Sequence, residues 1–277
     1  HTWVTAGSAD PAGSAWEGAV HWRGHFEVER LVQASDGWTV IGLDSQSAQT
    51  LQFSFDALVV AASGAQTQRL TAAHGDSASW PLEPVRGQLR VLPAQTPGLQ
   101  RPSLAVTSGS YALTLDDGRV IVGATSQPGD TDPNVRLKDT TRLLADARAW
   151  GVLPALTAGN GPEPAADGTE LNGAEHRAGV RWRTPDRLPI VGPVAQKTAA
   201  GAAPGAREDQ PRFVPRVPGL YVFTALGSRG ISWAHWGAEL LAASMSGLPA
   251  PVESSLLDRI DPARFRVLTA RRRSIDP

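Results

Sequence analysis

The chain has 277 residues, of which 41% are apolar and 19% are charged, and its formal net charge is −1. This length can supply one large hydrophobic core or two smaller ones, and the near-zero charge gives the whole molecule no general attraction to nucleic acid. The absence of cysteine excludes disulfides, thiolate metal ligands and cysteine nucleophiles. No apolar run approaches the roughly 20 residues that span a bilayer, so we expect a soluble, cytoplasmic protein.

The first part of the chain predicts a small sheet. Residues 38–41 and 51–55 suit a pair of antiparallel strands, and Asp36-Gly37 is a turn signal. Residues 58–62 form a short unbroken apolar run, which is typical of a strand covered on both faces. This run ends in Ser63-Gly64, where we expect a break.

The middle of the chain predicts further strands and one helix. Residues 86–92 read as a strand, and residues 111–115 and 119–124 flank Asp117-Gly118 as a hairpin. Residues 138–150 have helical composition, with Gly151 as a stop. The mixture indicates a mixed α/β (α+β) fold with antiparallel sheet, and residues 157–168 and 198–210 read as loops.

A strand-to-helix junction follows residue 220. An apolar run at residues 220–225 breaks into Gly227-Ser228-Arg229-Gly230, and residues 231–245 then read as a helix that Gly247 ends. The first turn of a helix has unpaired amide hydrogens and the positive end of the dipole. Glycines let a ligand approach that backbone, so the junction suits an anion or an electron-rich ring. The alternative is a tight turn with a solvent-facing arginine.

Two arginines, Arg181 and Arg183, are candidates for binding an anion. They are two residues apart, so on a strand they project from the same face. A guanidinium group binds a carboxylate or phosphate through two parallel hydrogen bonds. One of the two could hold a substrate carboxylate while the other belongs to a surface ion pair, or both could be solvated.

The sequence gives weaker signals for metal binding, serine hydrolysis and phosphate contacts. His21 and His25 are four residues apart, but the segment between them has no glutamate and contains a glycine, so we expect no metal site there. No G-x-S-x-G motif supports a serine hydrolase. The basic residues near the C-terminus are either solvated or available to a phosphate backbone; they are Arg264, Arg266, Arg271, Arg272 and Arg273.

Four segments occur in the order found in the D-amino-acid-oxidase-like flavoproteins. They are DALVVAASGA at 56–65, PVRGQL at 84–89, AGVRWRTPDRLPIVG at 178–192, and the junction and helix at 220–247. The chain resembles in particular the FAD-dependent oxidoreductase half of the bifunctional enzymes that modify the wobble uridine of tRNA. This closer resemblance rests on the motif ALGSRG at 225–230 and on the segment LLDRIDPARF at 256–265.

The resemblance implies FAD as cofactor and tRNA as partner. It implies oxidation of a carboxymethylaminomethyl group on the wobble uridine, which releases glyoxylate and leaves the aminomethyl nucleoside. A methyltransferase domain that uses S-adenosylmethionine would lie upstream. Two alternatives remain open: an oxidase of a small free amino acid such as glycine, sarcosine or a D-amino acid, and a degenerate fragment without activity.

The resemblance also assigns residues. Arg181 matches the arginine that binds the substrate carboxylate, with Arg229 as a helper, and these two are the catalytic candidates. Val28 matches the position whose backbone receives the adenine. The cofactor-binding candidates are Val28, Ala62, Ser63, Gly64, Gly227, Ser228, Arg229, Gly230 and Ile231.

The domain organisation follows from the same resemblance. We expect an incomplete three-layer FAD-binding domain at residues 1–80 and 174–277, with an antiparallel substrate domain at residues 81–173. The G-x-G-x-x-G fingerprint that holds a dinucleotide pyrophosphate does not occur in the first strand region. Because the chain opens at His1 and its single methionine is Met245, we expect a piece of a longer protein.

Overall fold

The computed structural model describes residues 23–155, 174–197 and 209–273. The predicted loop at 157–168, most of the one at 198–210, and His21 lie outside these ranges. The strands are β1 Phe26–Ala34, β2 Gly37–Asp44, β3 Gln49–Phe55, β4 Leu58–Val60, β5 Glu83–Leu92, β6 Val106–Ser108, β7 Ser110–Thr114, β8 Val120–Gly123, β9 Gln127–Pro128, β10 Glu175–Arg183, β11 Ile190–Ala195 and β12 Arg216–Thr224. The helices are α1 Gly64–Thr71, α2 Leu137–Ala149, α3 Gly230–Met245, α4 Ser254–Ile260 and α5 Arg264–Arg273.

The chain divides into two compact units. The first unit comprises residues 1–82 and 184–277, and the second comprises residues 83–183. The second edge lies ten residues beyond the predicted 173, because β10 pairs with β5 along its whole length, from Glu175 opposite Val91 to Arg183 opposite Glu83. The predicted mixed α/β class with antiparallel sheet is confirmed.

The first unit contains two three-stranded sheets. One has the order β1-β2-β3, and the other has the order β11-β12-β4, in which only β12 and β4 run parallel. The predicted pairing of 38–41 with 51–55 is confirmed, with Trp38 opposite Phe55, whereas the Asp36-Gly37 turn joins β1 to β2. Trp38 and Leu220 lie in the shared core, and Trp38 donates a hydrogen bond from Nε1 to the Pro218 carbonyl at 3.0 Å.

One expectation about the first unit is wrong. Residues 58–62 were expected to form a strand covered on both faces, but the strand is only Leu58–Val60 and Val59 is 39% exposed. The reason is its position, because β4 is the last strand of its sheet among the described residues and pairs with β12 alone.

The described residues of the second unit, 83–155 and 174–183, form a six-stranded antiparallel sheet with helix α2 on it. The strand order is β10-β5-β8-β7-β6, and β9 also pairs with β5. The predicted hairpin around Asp117-Gly118 is confirmed as β7 and β8. Helix α2 covers one face, where Leu143 and Leu144 are buried with Val120 and Val122. The opposite face carries the odd-numbered residues of β5 and β10, because successive side chains on a strand alternate between faces.

Helix α3 packs against β12 through a glycine. Gly237 is buried, and a Cβ atom there would lie 2.4 Å from Phe223 Cζ. Alanine has the higher helix propensity by about 1 kcal/mol, so propensity alone would make Gly237→Ala stabilising. We expect the steric conflict to dominate, and the free energy of unfolding to fall by about 1–3 kcal/mol in urea titrations. Ser232→Ala, at an exposed position of the same helix, is the control; equal values for the two variants would contradict the contact.

Candidate functional site

Two strand-to-helix junctions lie side by side in the first unit. Parallel strands β4 and β12 are in register, with Val60 opposite Val222. Each strand leads through a short connection into a helix that begins at a glycine, α1 at Gly64 and α3 at Gly230. Because parallel strands end at the same edge of a sheet, both helix N-termini face this edge. The carboxyl edge of such strands is the usual place for a ligand in open α/β sheets.

The carbonyl of Ala62 joins the two junctions. It accepts a hydrogen bond from Thr224 Oγ1 at 3.0 Å, at the end of β12, and one from Thr67 Oγ1 at 3.2 Å, in α1. Ser63 caps α1, because its Oγ accepts from the Gln66 amide at 3.4 Å. Residues 62–64 and 224–230 are therefore held together by side chains from both elements.

The N-terminus of α3 is open. Arg229 occupies the capping position without a side-chain capping bond, and no acidic residue lies in the first turn. Ser228 and Arg229 are exposed, and Ile231 is 96% exposed. Gly227 has φ +58°, a left-handed conformation that glycine adopts without strain. The free amide hydrogens and the helix dipole would attract negative charge here.

Val28 is connected to this region through α1. It is buried in β1, and its carbonyl accepts hydrogen bonds from Arg69 Nη2 at 2.9 Å and Gln66 Nε2 at 3.4 Å. The cofactor-binding candidates of the first unit thus gather around α1 and the two junctions.

Three arginines of β10 lie on the face of the second unit that α2 leaves uncovered. Arg177 pairs with Glu175 at 2.8 Å, and Arg183 pairs with Glu83 at 2.8 Å. Each guanidinium hydrogen-bonds its carboxylate and so lowers the pKa of that carboxyl. Between them, Arg181 has no carboxylate partner among the described residues, and its Nη2 has only Ser126 Oγ at 3.4 Å. Arg181 is therefore the arginine of this strand that is available to an anion.

Sequence reasoning missed the surroundings of Arg181. Ser126 comes from the segment after β8, and Gly87 of β5 lies against the Arg181 guanidinium. Behind Gly87, Arg86 is fully buried and pairs with Asp139 at 2.6 Å. A glycine in the middle of a predicted strand was the available signal, since such a glycine often marks the close approach of another group.

Most of the basic residues near the C-terminus have structural partners. Arg264 is buried, and its Nε pairs with Asp186 at 2.9 Å. Arg266 donates to the Gln196 carbonyl at 2.9 Å, and Arg271 donates to the Asp209 carbonyl. These contacts attach α5 to Gln196, directly after β11, and to Asp209, seven residues before β12.

Residues 23–155, 174–197 and 209–273 contain neither a metal-ion site nor a membrane-spanning helix. No group of three or more His, Asp or Glu residues in those ranges is placed to hold a metal ion. None of the helices described there is long and apolar enough to cross a membrane.

The first unit fits a flavin cofactor in its local chemistry. A flavin ring gains negative charge on reduction, and the uncapped N-terminus of α3 offers amide hydrogens at Gly230 and Ile231 to stabilise it. The glycine at 227 keeps side-chain atoms away from that backbone. Gly64 places a second helix N-terminus at the same edge.

Comparison with known proteins gives the family. A family model described as FAD dependent oxidoreductase matches residues 13–244. The chain belongs to this family of FAD-dependent oxidoreductases. FAD is the family's cofactor, and the family and cofactor predicted from the four sequence segments are confirmed.

Two curated relatives match most of this chain. The tRNA 5-methylaminomethyl-2-thiouridine biosynthesis bifunctional protein MnmC of Burkholderia vietnamiensis is 38% identical over 250 residues, which is 90% of this chain and 35% of that protein. MnmC of Burkholderia cenocepacia is 45% identical over 194 residues, 69% of this chain and 28% of that protein. The chain thus spans about a third of the length of the curated relatives it matches.

A solved structure supports the fold. Glycine oxidase from Geobacillus kaustophilus superposes with a TM-score of 0.56 at 23% sequence identity, and the match covers 86% of this chain and 52% of that one. At this identity the likeness shows that the two chains share a fold.

Proposed function

We propose that the protein from which this chain comes oxidises a carboxymethylaminomethyl group on the wobble uridine of tRNA. The substrate is the 5-carboxymethylaminomethyl or 2-thio nucleoside, and the products are the 5-aminomethyl nucleoside and glyoxylate. The curated relatives support this proposal, because their printed name is that of a bifunctional tRNA 5-methylaminomethyl-2-thiouridine biosynthesis protein. The observation that carries it is Arg181, which lies between two ion-paired arginines without a carboxylate of its own.

The reaction is a two-electron oxidation. FAD, when bound, would supply the two-electron acceptor for the CH₂ group between the amine nitrogen and the carboxylate. The oxidised substrate would then take up one water molecule and separate into the primary amine and glyoxylate. This chain's residues bind and orient the substrate. Arg181 would hold the carboxylate through its guanidinium, so that the adjacent CH₂ group has one orientation. Arg229, exposed at the start of α3, would assist at the flavin edge.

Hydride transfer from an amine requires the neutral amine and good alignment more than a strong protein base. We assign Val28, residues 62–64 and residues 227–231 to FAD, with the amide hydrogens at the start of α3 stabilising the negative charge of the reduced ring.

The proposed partners are tRNA and a methyltransferase domain that uses S-adenosylmethionine to methylate the new amine. The word bifunctional in the relatives' name supports a second domain. A tRNA substrate would place the protein in the cytoplasm.

The test uses the complete protein with FAD and tRNA that carries the carboxymethylaminomethyl nucleoside. Nucleoside analysis by mass spectrometry should show the aminomethyl product, with an equal amount of glyoxylate. Turnover of free glycine, sarcosine or a D-amino acid with unchanged tRNA would replace the proposal by an amino acid oxidase. A protein that neither retains flavin nor turns over any of these substrates would be a non-catalytic relative.

A further inference from the structure

The Arg181 guanidinium lies against bare backbone. A Cβ atom added at Gly87 would lie 3.2 Å from Arg181 Nη1 and 3.1 Å from the Thr125 carbonyl oxygen. Both distances are tighter than ordinary van der Waals contact. A Cβ added at Gly179, directly opposite Gly87 on β10, would meet nothing within 4 Å. Space over β5 is therefore needed at Gly87, where the Arg181 guanidinium and the Thr125 carbonyl oxygen both lie.

The second contact of Arg181, Ser126, belongs to a segment that is fixed on both sides. Before it, Thr125 exchanges hydrogen bonds with the backbone of Gln88: the Thr125 amide donates to the Gln88 carbonyl, and the Gln88 amide donates to Thr125 Oγ1, each at 3.0 Å. After it, Gln127 accepts from Arg86 Nη1 at 2.9 Å and donates to Asp139 Oδ1 at 2.7 Å. Ser126 is thus tied to β5 and to α2.

Arg86 lies at the centre of this hydrogen-bond network. Its Nε donates to the Asp132 carbonyl at 2.8 Å, its Nη1 binds Gln127 and Asp139, and its Nη2 donates to Gln88 Oε1 at 2.9 Å and to the Asn134 carbonyl. Every donor of the guanidinium has a partner, so Arg86 has no remaining capacity for a ligand. Its role is to hold the segment that presents Ser126.

We propose that Gly87 and Ser126 are positioning residues that fix the Arg181 guanidinium and so set the preference for substrates that carry a carboxylate. This inference rests on the proposed function, in which Arg181 binds the substrate carboxylate. Gly87 supplies the space, and Ser126 Oγ accepts a hydrogen bond from Nη2. A guanidinium whose position is fixed loses less side-chain entropy when it binds a carboxylate in a fork geometry.

The first test compares Gly87→Ala with Gly179→Ala in the complete FAD-loaded protein. The two glycines face each other across the strand pair, so the control makes the same chemical change where there is room. We expect Gly87→Ala to raise KM for the carboxymethylaminomethyl tRNA, and the Ki of glycolate as a small carboxylate probe, by about tenfold. Gly179→Ala should leave both values unchanged.

A double-mutant cycle shows whether the effect passes through Arg181. In an Arg181→Ala background, Gly87→Ala should cause no further rise in the Ki of glycolate, because the group that it displaces is gone. An equal effect in both backgrounds would overturn the proposal. Ser126→Ala should raise the Ki about threefold and Ser126→Thr, which keeps the hydroxyl, should restore it; this pair provides the test if Gly87→Ala does not fold.

The two proposals fail in different ways. If the wild-type protein oxidises the tRNA and glycolate competes, but Gly87→Ala equals Gly179→Ala and Ser126→Ala equals wild type, the positioning role is wrong and the function stands. If the wild-type protein does not oxidise the tRNA, the proposed function itself is wrong.

Discussion

Arg181→Ala is expected to lower kcat/KM for the carboxymethylaminomethyl tRNA by about a hundredfold or more. The side chain would form a charge-assisted, bidentate pair with the substrate carboxylate, and such pairs are among the strongest hydrogen bonds in proteins. Removing one partner also leaves the other charge without its counter-ion. KM should rise because binding is lost, and kcat should fall because the reacting CH₂ group is no longer held in one orientation.

The structure offers a matched control for this variant. Arg177 lies on the same strand and the same face, but it is 69% exposed at its side chain and pairs with Glu175. Arg177→Ala should therefore leave kcat and KM unchanged, while Arg181→Lys, which keeps the charge but not the planar fork, should be intermediate. Steady-state kinetics of the three variants test this prediction, and thermal unfolding shows whether each variant is folded. If Arg181→Ala retains wild-type kcat and KM, the carboxylate is bound elsewhere.

Short motifs in the sequence were sufficient to predict the strands, turns and helix that position the site. The Gly227-Ser228-Arg229-Gly230 turn predicted the end of a strand and the start of a helix, and α3 begins at Gly230. Asp117-Gly118 predicted a hairpin that the structure contains as β7 and β8. These features depend on the conformations that glycine and short-range hydrogen bonds allow, so neighbouring residues determine them.

Contacts between distant residues were not predictable in the same way. The sequence suggested that one of two arginines, Arg181 and Arg183, belongs to an ion pair, but not which one. Arg183 finds Glu83, 100 residues earlier in the chain, and Arg181 finds Ser126, 55 residues earlier. Both contacts depend on the register in which β10 pairs with β5. A shift of that register by one residue would move every side chain of β10 to the opposite face of the sheet. The exposure of Val59 likewise depends on which strands stand beside β4.

The clearest feature that sequence did not reveal is the buried polar cluster under Gly87. Arg86, Gln88 and Arg90 alternate with the residues of the open face, and all three are buried beneath α2. Arginines on one face of a strand predict that this face is exposed to solvent, because charged side chains are rarely buried without partners. The partners of Arg86 come from β9, from α2 and from the backbone between them. Selectivity at the open face would therefore depend on polar contacts behind it.

Removing the carboxylate of that cluster is expected to be strongly destabilising. Asp139→Leu deletes the partner of Arg86, whose side chain is fully buried, and leaves its charge uncompensated. Breaking a buried ion pair in this way costs about 3–5 kcal/mol. Urea titration of the complete protein should show this loss in the transition that involves the second unit, and hydrogen exchange should rise first at Ser126 and Gln127.

Two controls separate the buried charge from other effects of Asp139→Leu. Glu175→Ala removes the carboxylate of the Arg177 pair, in which both side chains are substantially exposed, and should not shift the transition measurably. Arg86→Met combined with Asp139→Leu removes both charges and should recover much of the stability, because apolar replacement of a whole buried pair is often tolerated. If Asp139→Leu alone unfolds at the wild-type urea concentration, the Arg86 charge does not need Asp139, and the cluster does not hold Ser126 in the way described.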